Sequence, residues 1–259
     1  MVMILNSLPK PLRHRLIGRQ LAEYAWCLLL KPRRLSLPRL NLDTLIPRYA
    51  DASITLGRLP RGSWASPVVD VVVLSKLANA IGARRVLELG SFRGYTTLAL
   101  AQNIPEDGRV VAVDLAPDHG EAYRGRPEAM RIERRVGAID ESLFGPDDWQ
   151  SFDLVFVDAD HRYAAVEHDT ALALRLVGPE GYVVWHDYAN WGYYSGACGV
   201  PEYLGELSRE RPVAQIVGSN MAIHRPCWLD RRRQEFDCAI AATAEGRRGD
   251  VWNVSMPRP

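Results

Sequence analysis

The sequence predicts an α/β fold with a doubly wound, mostly parallel, seven-stranded sheet and an N-terminal helical extension. The first observation is that short apolar runs alternate with helical segments between residues 61 and 226. Strands joined by single helices form right-handed crossovers, and such crossovers build a parallel sheet. The second observation is the composition, because 259 residues with 47% hydrophobic and 24% charged side chains are typical of a folded globular chain.

Four helices are predicted in the α/β region, at residues 67–80, 95–102, 163–176 and 200–210. Pro67 suits the first position of a helix, and Ser66 before it is a candidate N-cap. The third helix is expected to end in a turn at residues 178–181, which contain two glycines and a proline.

Seven strands are predicted, at residues 85–89, 109–114, 131–136, 152–158, 182–187, 214–217 and 221–224. Short runs that are rich in Val, Leu, Ile and Phe and bounded by turn residues indicate buried strands. The run at 152–158 is almost unbroken, whereas the run at 131–136 contains four charged residues.

Three regions of the chain differ in character. Residues 1–60 form a basic extension with ten Lys or Arg against three Asp or Glu, and one helix is expected between Pro11 and Pro32. Residues 61–226 form the α/β core. Residues 227–259, which include two arginine clusters, are expected to form a C-terminal helix and a tail.

Charge and cysteine usage exclude several classes of protein. A net charge of +1 argues against a general nucleic-acid binder, and no apolar run reaches the roughly 18 to 20 residues that span a bilayer. No small-residue cleavage site follows the apolar stretch near the N-terminus, so a secretory signal is not expected. The cysteines form no C-x-x-C pair and are expected to be free thiols in a reducing cytoplasm: Cys27, Cys198, Cys227 and Cys238.

The strongest local signal is a strand that runs into a glycine-containing turn and then a helix, at residues 86–98. Gly90 and Gly94 let the backbone approach a ligand, and the helix N-terminus offers free N–H groups. A dinucleotide fingerprint would need glycine where Phe92 and Tyr95 stand. A smaller ligand with a carboxylate suits the turn better, and Glu88 would favour an ammonium group, so an amino-acid-bearing nucleoside is indicated.

Asp114 ends the second strand, 24 residues after Gly90. A carboxylate at this place can accept hydrogen bonds from both hydroxyls of a ribose. The alternative is that Asp114 only caps a helix.

These segments resemble the class I S-adenosylmethionine-dependent methyltransferases. The sequence is most similar to the branch with the catechol-type, metal-dependent and macrocin-type O-methyltransferases, and the similarity extends over residues 66–226. Beyond the glycine turn it covers VGAID at 136–140, FDLVFVDADH at 152–161, GYVVWHDY at 181–188 and the segment 219–225.

The resemblance implies that S-adenosylmethionine is the cofactor. Glu88 and Gly90 would contact its methionine part, Asp114 its ribose, and Ile139 with Asp140 its adenine. The full cofactor-binding set is predicted as Glu88, Gly90, Ser91, Gly94, Tyr95, Asp114, Ile139, Asp140 and Asp158.

Acidic and imidazole side chains follow the fourth and fifth strands. Asp158, Asp160 and His161 end one strand, and His186 and Asp187 end the other. Adjacent parallel strands lie about 4.8 Å apart, so these side chains can converge beside the glycine turn. The candidate base is His161 or Asp160, with His186 in reserve, because an imidazole titrates near neutral pH.

Carboxylate oxygens at this place suit a divalent cation such as Mg²⁺ or Mn²⁺. The resemblance implies Asp158, His186 and Asp187 as its ligands, although the metal-binding relatives usually have a carboxylate at position 186. Three alternatives follow for His186: it ligates a softer ion such as Mn²⁺, it acts as a base, or no metal binds. Structural roles for all of these residues are further alternatives.

The predicted function is S-adenosylmethionine-dependent methylation of a hydroxyl on a small molecule or sugar-containing natural product. The alternatives are a related-fold enzyme that uses the site for other chemistry, such as hydroxylation, and a non-catalytic binding module. Nucleic acid is not an expected acceptor, because D-A-D-H follows the fourth strand in place of an N-P-P-Y-type tetrapeptide.

Two segments outside the motifs have open roles. The aromatic loop at 188–194 stacks on the acceptor or packs on the sheet. Four alternatives remain for the basic extension: it caps the acceptor pocket, it forms a homo-oligomer contact, it contacts an anionic membrane surface, or it is an appendage that packs only on itself.

Overall fold

The computed structural model describes residues 35–60, 65–189 and 199–249. These residues form eight strands: β1 (Arg39–Leu40), β2 (Arg85–Leu89), β3 (Arg109–Asp114), β4 (Ile132–Val136), β5 (Phe152–Val157), β6 (Val177–Trp185), β7 (Val213–Ile216) and β8 (Ala222–His224). They also form six α-helices: α1 (Leu42–Leu45), α2 (Val68–Ala80), α3 (Tyr95–Asn103), α4 (Tyr163–Leu176), α5 (Val200–Leu207) and α6 (Arg233–Gly249).

The strands form one sheet in the order β1-β7-β8-β6-β5-β2-β3-β4. All neighbours pair in parallel except β8, which is antiparallel to both β6 and β7. The predicted doubly wound α/β fold is therefore confirmed, with one strand more than the seven predicted. The additional strand is β1, where Arg39 pairs with Gln215. A two-residue strand is too short to show the alternation by which strands are recognised in a sequence.

Several local predictions need correction. Helix α2 begins at Val68 with Pro67 at its N-cap and no side-chain cap, so Ser66 does not cap it. The predicted turn at 178–181 is part of strand β6. The pairing of β6 with β5 shifts register between Phe152 and Leu154, and this irregularity accommodates the two glycines and the proline. Helix α5 ends at Leu207, three residues before the predicted end.

The core lies on both faces of the sheet. Val86 packs with Leu74 and Leu77 of α2 on one face, whereas Leu87 packs with Leu176 of α4 on the other. Adjacent β2 residues are buried on opposite faces because helices cover both sides of a parallel sheet. Glu88 follows the same alternation as Val86 and therefore faces the α2 side.

The described ends of the chain join the same core. Leu40 and Leu42 belong to one buried cluster with Trp228 and Phe236. The backbone N–H of Asn41 donates to the hydroxyl of Thr243 in α6 at 2.9 Å. The division at residues 60 and 226 stays a prediction about domains, but both flanking regions contribute apolar side chains to the core.

Some predictions lie outside the described residues: the helix between Pro11 and Pro32, most of the aromatic loop, Cys27, Cys198 and the end of the tail. Tyr188, at the start of that loop, is buried, and its hydroxyl accepts a hydrogen bond from the N–H of Leu37 at 2.9 Å. Cys227 and Cys238 carry free thiols, as predicted. In the described ranges, none of the helices has both the length and the apolar character needed to traverse a bilayer.

Candidate active site

A cavity of about 920 Å³ opens at the carboxyl ends of the central strands. The winding of the sheet reverses between β2 and β5, and crevices in doubly wound sheets form at this place. The predicted site residues that line it are Glu88, Gly90, Ser91, Gly94, Tyr95, Asp114, Ile139, Asp158, Asp160, His161, His186 and Asp187. The structure thus brings the predicted cofactor residues other than Asp140 and the acidic cluster together in one cavity.

The glycine turn has the backbone conformation that its residues suggest. Gly90 has a φ of 93° and Gly94 a φ of 78°, both in the left-handed region. A Cβ at Gly90 would overlap the backbone carbonyl of Asp158 and lie 2.6 Å from the Cα of Ala159. Glycine at position 90 therefore lets the turn pass directly over the end of β5.

Glu88 presents a buried carboxylate to the cavity. The residue is 1% exposed, and the hydroxyl of Thr97 donates to it. Burial raises the pKa of Glu88 well above its usual value, and the charges of Asp158 and Asp114 raise it further. A cation that binds here would offset the burial cost of the ionised carboxylate, so the site suits an ammonium group.

Asp114 is held by the turn that it faces. Its carboxylate accepts the N–H of Phe92 at 2.6 Å and the N–H of Ala116 at 3.0 Å. The Nδ1 of His119 lies 2.8 Å from the same carboxylate. These contacts cap a turn rather than a helix. A carboxylate can accept about four hydrogen bonds, so Asp114 can still accept one from a ligand.

Ile139 and Asp140 are placed differently. Ile139 lines the cavity. The Asp140 carboxylate instead accepts from the N–H of Ser142 at 2.8 Å and caps a short 3₁₀ turn. Contact between Asp140 and adenine stays a prediction.

Asp158, His161 and Asp187 form a cluster at the other end of the site. The Nε2 of His161 lies 2.7 Å from Oδ2 of Asp187 and 3.6 Å from Oδ1 of Asp158. Each of the three residues offers one ligand atom, and these atoms lie within 4.8 Å of one another. The cluster contains two of the three predicted metal ligands and has His161 where the prediction has His186.

Both ring nitrogens of His186 face carboxylates. Its Nδ1 lies 3.1 Å from Oδ1 of Asp158, and its Nε2 lies 3.0 Å from Oδ2 of Asp70 on α2. His186 is 5% exposed and Asp70 is 1% exposed. This arrangement engages both atoms by which His186 could ligate a metal or take up a proton.

The cluster shifts the pKa values of its members. Burial alone would raise the pKa of Asp158, but the charge of His186 and the hydrogen bonds from His161 and His186 outweigh it and lower the pKa to about 2. Burial alone would lower the pKa of His161, but hydrogen bonds to Asp158 and Asp187 raise it to about 9. The pKa of His186 is raised well above its usual value, because the charges of Asp158 and Asp187 outweigh burial.

Asp160 has a different environment from the cluster. Its carboxylate accepts from the N–H of Arg162 at 2.9 Å and from the Nε of the same arginine at 2.8 Å. An ion pair with a guanidinium lowers the basicity of a carboxylate, and hydrogen bonds to Arg162 do lower the pKa of Asp160. Between the two predicted bases, these contacts favour His161.

The structure adds site residues that the sequence argument missed. The hydroxyl of Ser66 donates to Oδ2 of Asp158 at 3.1 Å instead of capping a helix. His119, which received no role from the sequence, contacts Asp114. Asp70 was a detectable signal, because it is a lone acid inside the apolar run VVDVVVL of α2, and a buried acid needs partners.

Comparison with known proteins identifies the family. Residues 87–188 match the profile of a family described as a methyltransferase domain. Tricin synthase 1 of Oryza sativa subsp. japonica is 31% identical over 192 residues, which cover 66% of this chain and 72% of that protein. Catechol O-methyltransferase of Mycobacterium tuberculosis is 42% identical over 95 residues, which cover 34% of this chain and 41% of that protein.

The chain spans about half the length of several curated relatives that it matches, for example 47% of tricin synthase 2 of Oryza sativa subsp. japonica. Among solved structures, the O-methyltransferase TomG from Streptomyces achromogenes, in complex with SAM, superposes with a TM-score of 0.52 at 25% identity. That alignment covers 80% of this chain and 96% of TomG. The chain belongs to the S-adenosylmethionine-dependent methyltransferases, on the branch that contains the catechol and caffeoyl-CoA O-methyltransferases.

Proposed function

We propose that this chain transfers a methyl group from S-adenosylmethionine to a hydroxyl of a small molecule or sugar-containing natural product. The strongest support is that one cavity contains both the residues that suit the cofactor and the residues that suit the acceptor. Glu88 and Asp114 offer carboxylates to an ammonium group and a ribose, and the His161–Asp187 pair offers a base to a hydroxyl. We also propose a cytoplasmic location. Contact of the basic extension with a membrane surface and homo-oligomerisation stay predictions.

The residues around the glycine turn fit this cofactor. The buried Glu88 carboxylate suits the ammonium of its methionine part, and Asp114 keeps acceptor capacity for a ribose hydroxyl. When bound, the cofactor supplies a methyl group on a positively charged sulfur, which is already an activated leaving group. The chain therefore has to align the acceptor hydroxyl and weaken its proton.

His161 is the proposed base. Its Nε2 lies 2.7 Å from Oδ2 of Asp187, and a carboxylate partner fixes the orientation of an imidazole and stabilises its protonated form. His161 is about one quarter exposed, so an acceptor can reach the ring from the cavity. Oδ1 of Asp158 lies 3.6 Å from the same Nε2 and adds a second negative charge beside the ring.

The donor atoms of Asp158, His161 and Asp187 also fit a divalent cation such as Mg²⁺ or Mn²⁺. A cation there would act as a Lewis acid and lower the pKa of the acceptor hydroxyl. Only a neutral imidazole ligates a metal, so a cation and the proton on His161 would compete.

Cofactor binding tests the proposal directly. Titration calorimetry with S-adenosylhomocysteine should detect binding to the wild type, and Glu88→Gln should raise Kd about 10- to 100-fold, because a hydrogen bond to a charged group contributes about 1.5–3 kcal/mol. Glu141→Gln is the matched control, since Glu141 is exposed and pairs with Arg175. The absence of binding heat with the wild type would refute the proposed function.

The rate of methylation should rise with pH. The pKa of His161 is about 9, so its neutral, proton-accepting form increases about tenfold for each pH unit below that value and reaches a plateau above it. The measurement is the pH profile of kcat/KM with and without a chelator, and His161→Gln should remove the slope. A flat profile together with loss of activity in chelator would instead assign His161 to a cation.

A further inference from the structure

Asp70 lies next to the active site but does not line the cavity, whereas His186 and Asp158 do. It stands near the start of α2 and is 1% exposed. Asp70 has no role in the mechanism proposed above. Burial of a carboxylate costs free energy unless hydrogen-bond donors compensate for the lost water. The partners of Asp70 therefore indicate its role.

All three polar neighbours of Asp70 can be donors. Its Oδ1 accepts the backbone N–H of Asn220 at 3.0 Å, and its Oδ2 accepts the side-chain amide Nδ2 of Asn220 at 3.1 Å. The Nε2 of His186 lies 3.0 Å from the same Oδ2. Because the other oxygen of this carboxylate and the Asn220 amide are already paired as acceptor and donor, we expect the ring N–H of His186 to be on Nε2 and to donate to Oδ2.

Both oxygens of Asp158 have partners that connect to the N-terminal end of α2. Ser66, just before the helix, donates to Oδ2 of Asp158 at 3.1 Å. Asp70 fixes the ring of His186, whose Nδ1 lies 3.1 Å from Oδ1 of Asp158. One oxygen of Asp158 is therefore held directly, and the other is held through the imidazole of His186.

We propose that Asp70 is a positioning residue that fixes His186 and, through it, the orientation of the Asp158 carboxylate in the cavity. This inference rests on the proposed function, because alignment of Asp158 affects the rate only if the cavity performs methyl transfer. His186 then serves as a connector between α2 and β5 rather than as a metal ligand or a base.

The kinetic test compares Asp70→Asn with Asp147→Asn, an exposed matched control. The NH₂ group of asparagine must face either the backbone N–H of Asn220 or the two donors at the other oxygen, and in both orientations the negative charge beside His186 is lost without a change in side-chain size. We expect kcat to fall about 10- to 100-fold, since a displacement of about 1 Å can cost 10²-fold. The KM for the methyl donor should stay within about twofold. An unchanged kcat in the folded variant would overturn the proposal.

A double-mutant cycle shows whether Asp70 acts through His186. In a His186→Gln background, Asp70→Asn should change the residual kcat less than about twofold, because the connection is already broken. A loss of kcat as large as in the wild-type background would mean that Asp70 acts by another route, and the proposal would fail.

A spectroscopic measurement makes the test independent of turnover and of variant folding. In wild-type protein labelled with ¹⁵N-histidine, a proton on Nε2 of His186 should be visible and protected from exchange. The Nδ1 of His224, 2.8 Å from the Pro212 carbonyl, serves as the internal control. An unprotonated Nε2 of His186 would overturn the positioning role even if S-adenosylhomocysteine binds, whereas a protected Nε2 without such binding would refute only the proposed function.

Discussion

Replacement of Asp158 by asparagine is expected to lower kcat by about 10²- to 10⁴-fold, the range over which positioned acid–base groups contribute. Asp158 is in contact with Ser66 through Oδ2 and with His186 and His161 through Oδ1. An amide would turn its NH₂ group against at least one of these partners. It would also remove a negative charge that stabilises the imidazolium formed when His161 takes up the proton of the acceptor.

Asp158 is also in the predicted cofactor-binding set, but we expect the same variant to leave cofactor binding nearly unchanged, because its two oxygens are bonded to Ser66 and His186. Glu88 and Asp114 keep their own hydrogen bonds to Thr97 and Phe92, so the Kd for S-adenosylhomocysteine should stay within about threefold. Single-turnover kinetics with calorimetry separate the two effects, and Asp147→Asn is the control. A wild-type kcat in Asp158→Asn would show that acceptor activation does not take place at this cluster.

Replacement of Gly90 by alanine is expected to weaken cofactor binding strongly. The φ of 93° costs a side chain about 1–3 kcal/mol, and the overlap with the backbone of Asp158 adds about as much. The turn must move away from the end of β5, so the Kd for S-adenosylhomocysteine should rise by more than about 100-fold, or about 2.8 kcal/mol.

Gly82→Ala is the matched control for Gly90→Ala. Gly82 also has a left-handed φ, 64°, but an added Cβ there meets no atom within 4 Å. Thermal unfolding should show a small loss of stability from backbone strain alone, with an unchanged Kd. Equal effects of the two substitutions on Kd would mean that the close approach of Gly90 to Asp158 does not shape the cofactor site.

The parts of the site that are formed by residues adjacent in the sequence could be predicted from it. The strand, the turn and the helix around Gly90 are contiguous, so their order indicated a ligand-binding turn. The nearly unbroken apolar run of β5 likewise indicated where Asp158 would lie. Strand β1 could not be predicted, because two residues contain no periodic pattern.

The parts that depend on tertiary contacts could not be predicted. Ser66 fits the local rule for a helix cap, yet its hydroxyl bonds to a carboxylate 92 positions away. The sequence also could not show which histidine joins the acidic cluster. Asp187 has a φ of 57°, so the chain leaves the strand geometry at the end of β6. Strand alternation therefore does not determine where the His186 ring and the Asp187 carboxylate lie.

The contacts of α2 affect how far this protein can be shortened. The segment recognised by the methyltransferase profile runs from 87 to 188, yet the groups that bond to Asp158 and His186 from outside it are Ser66 and Asp70, and Asp70 in turn is bonded to Asn220. Strand β1 and the hydrogen bond from Leu37 to Tyr188 lie further upstream still. A fragment that keeps the cluster of Asp158, His161 and Asp187 with these hydrogen bonds is therefore much longer than the recognised segment. Trimming to residues 87–188 would remove the partners of Asp158 and His186 that lie on and just before α2.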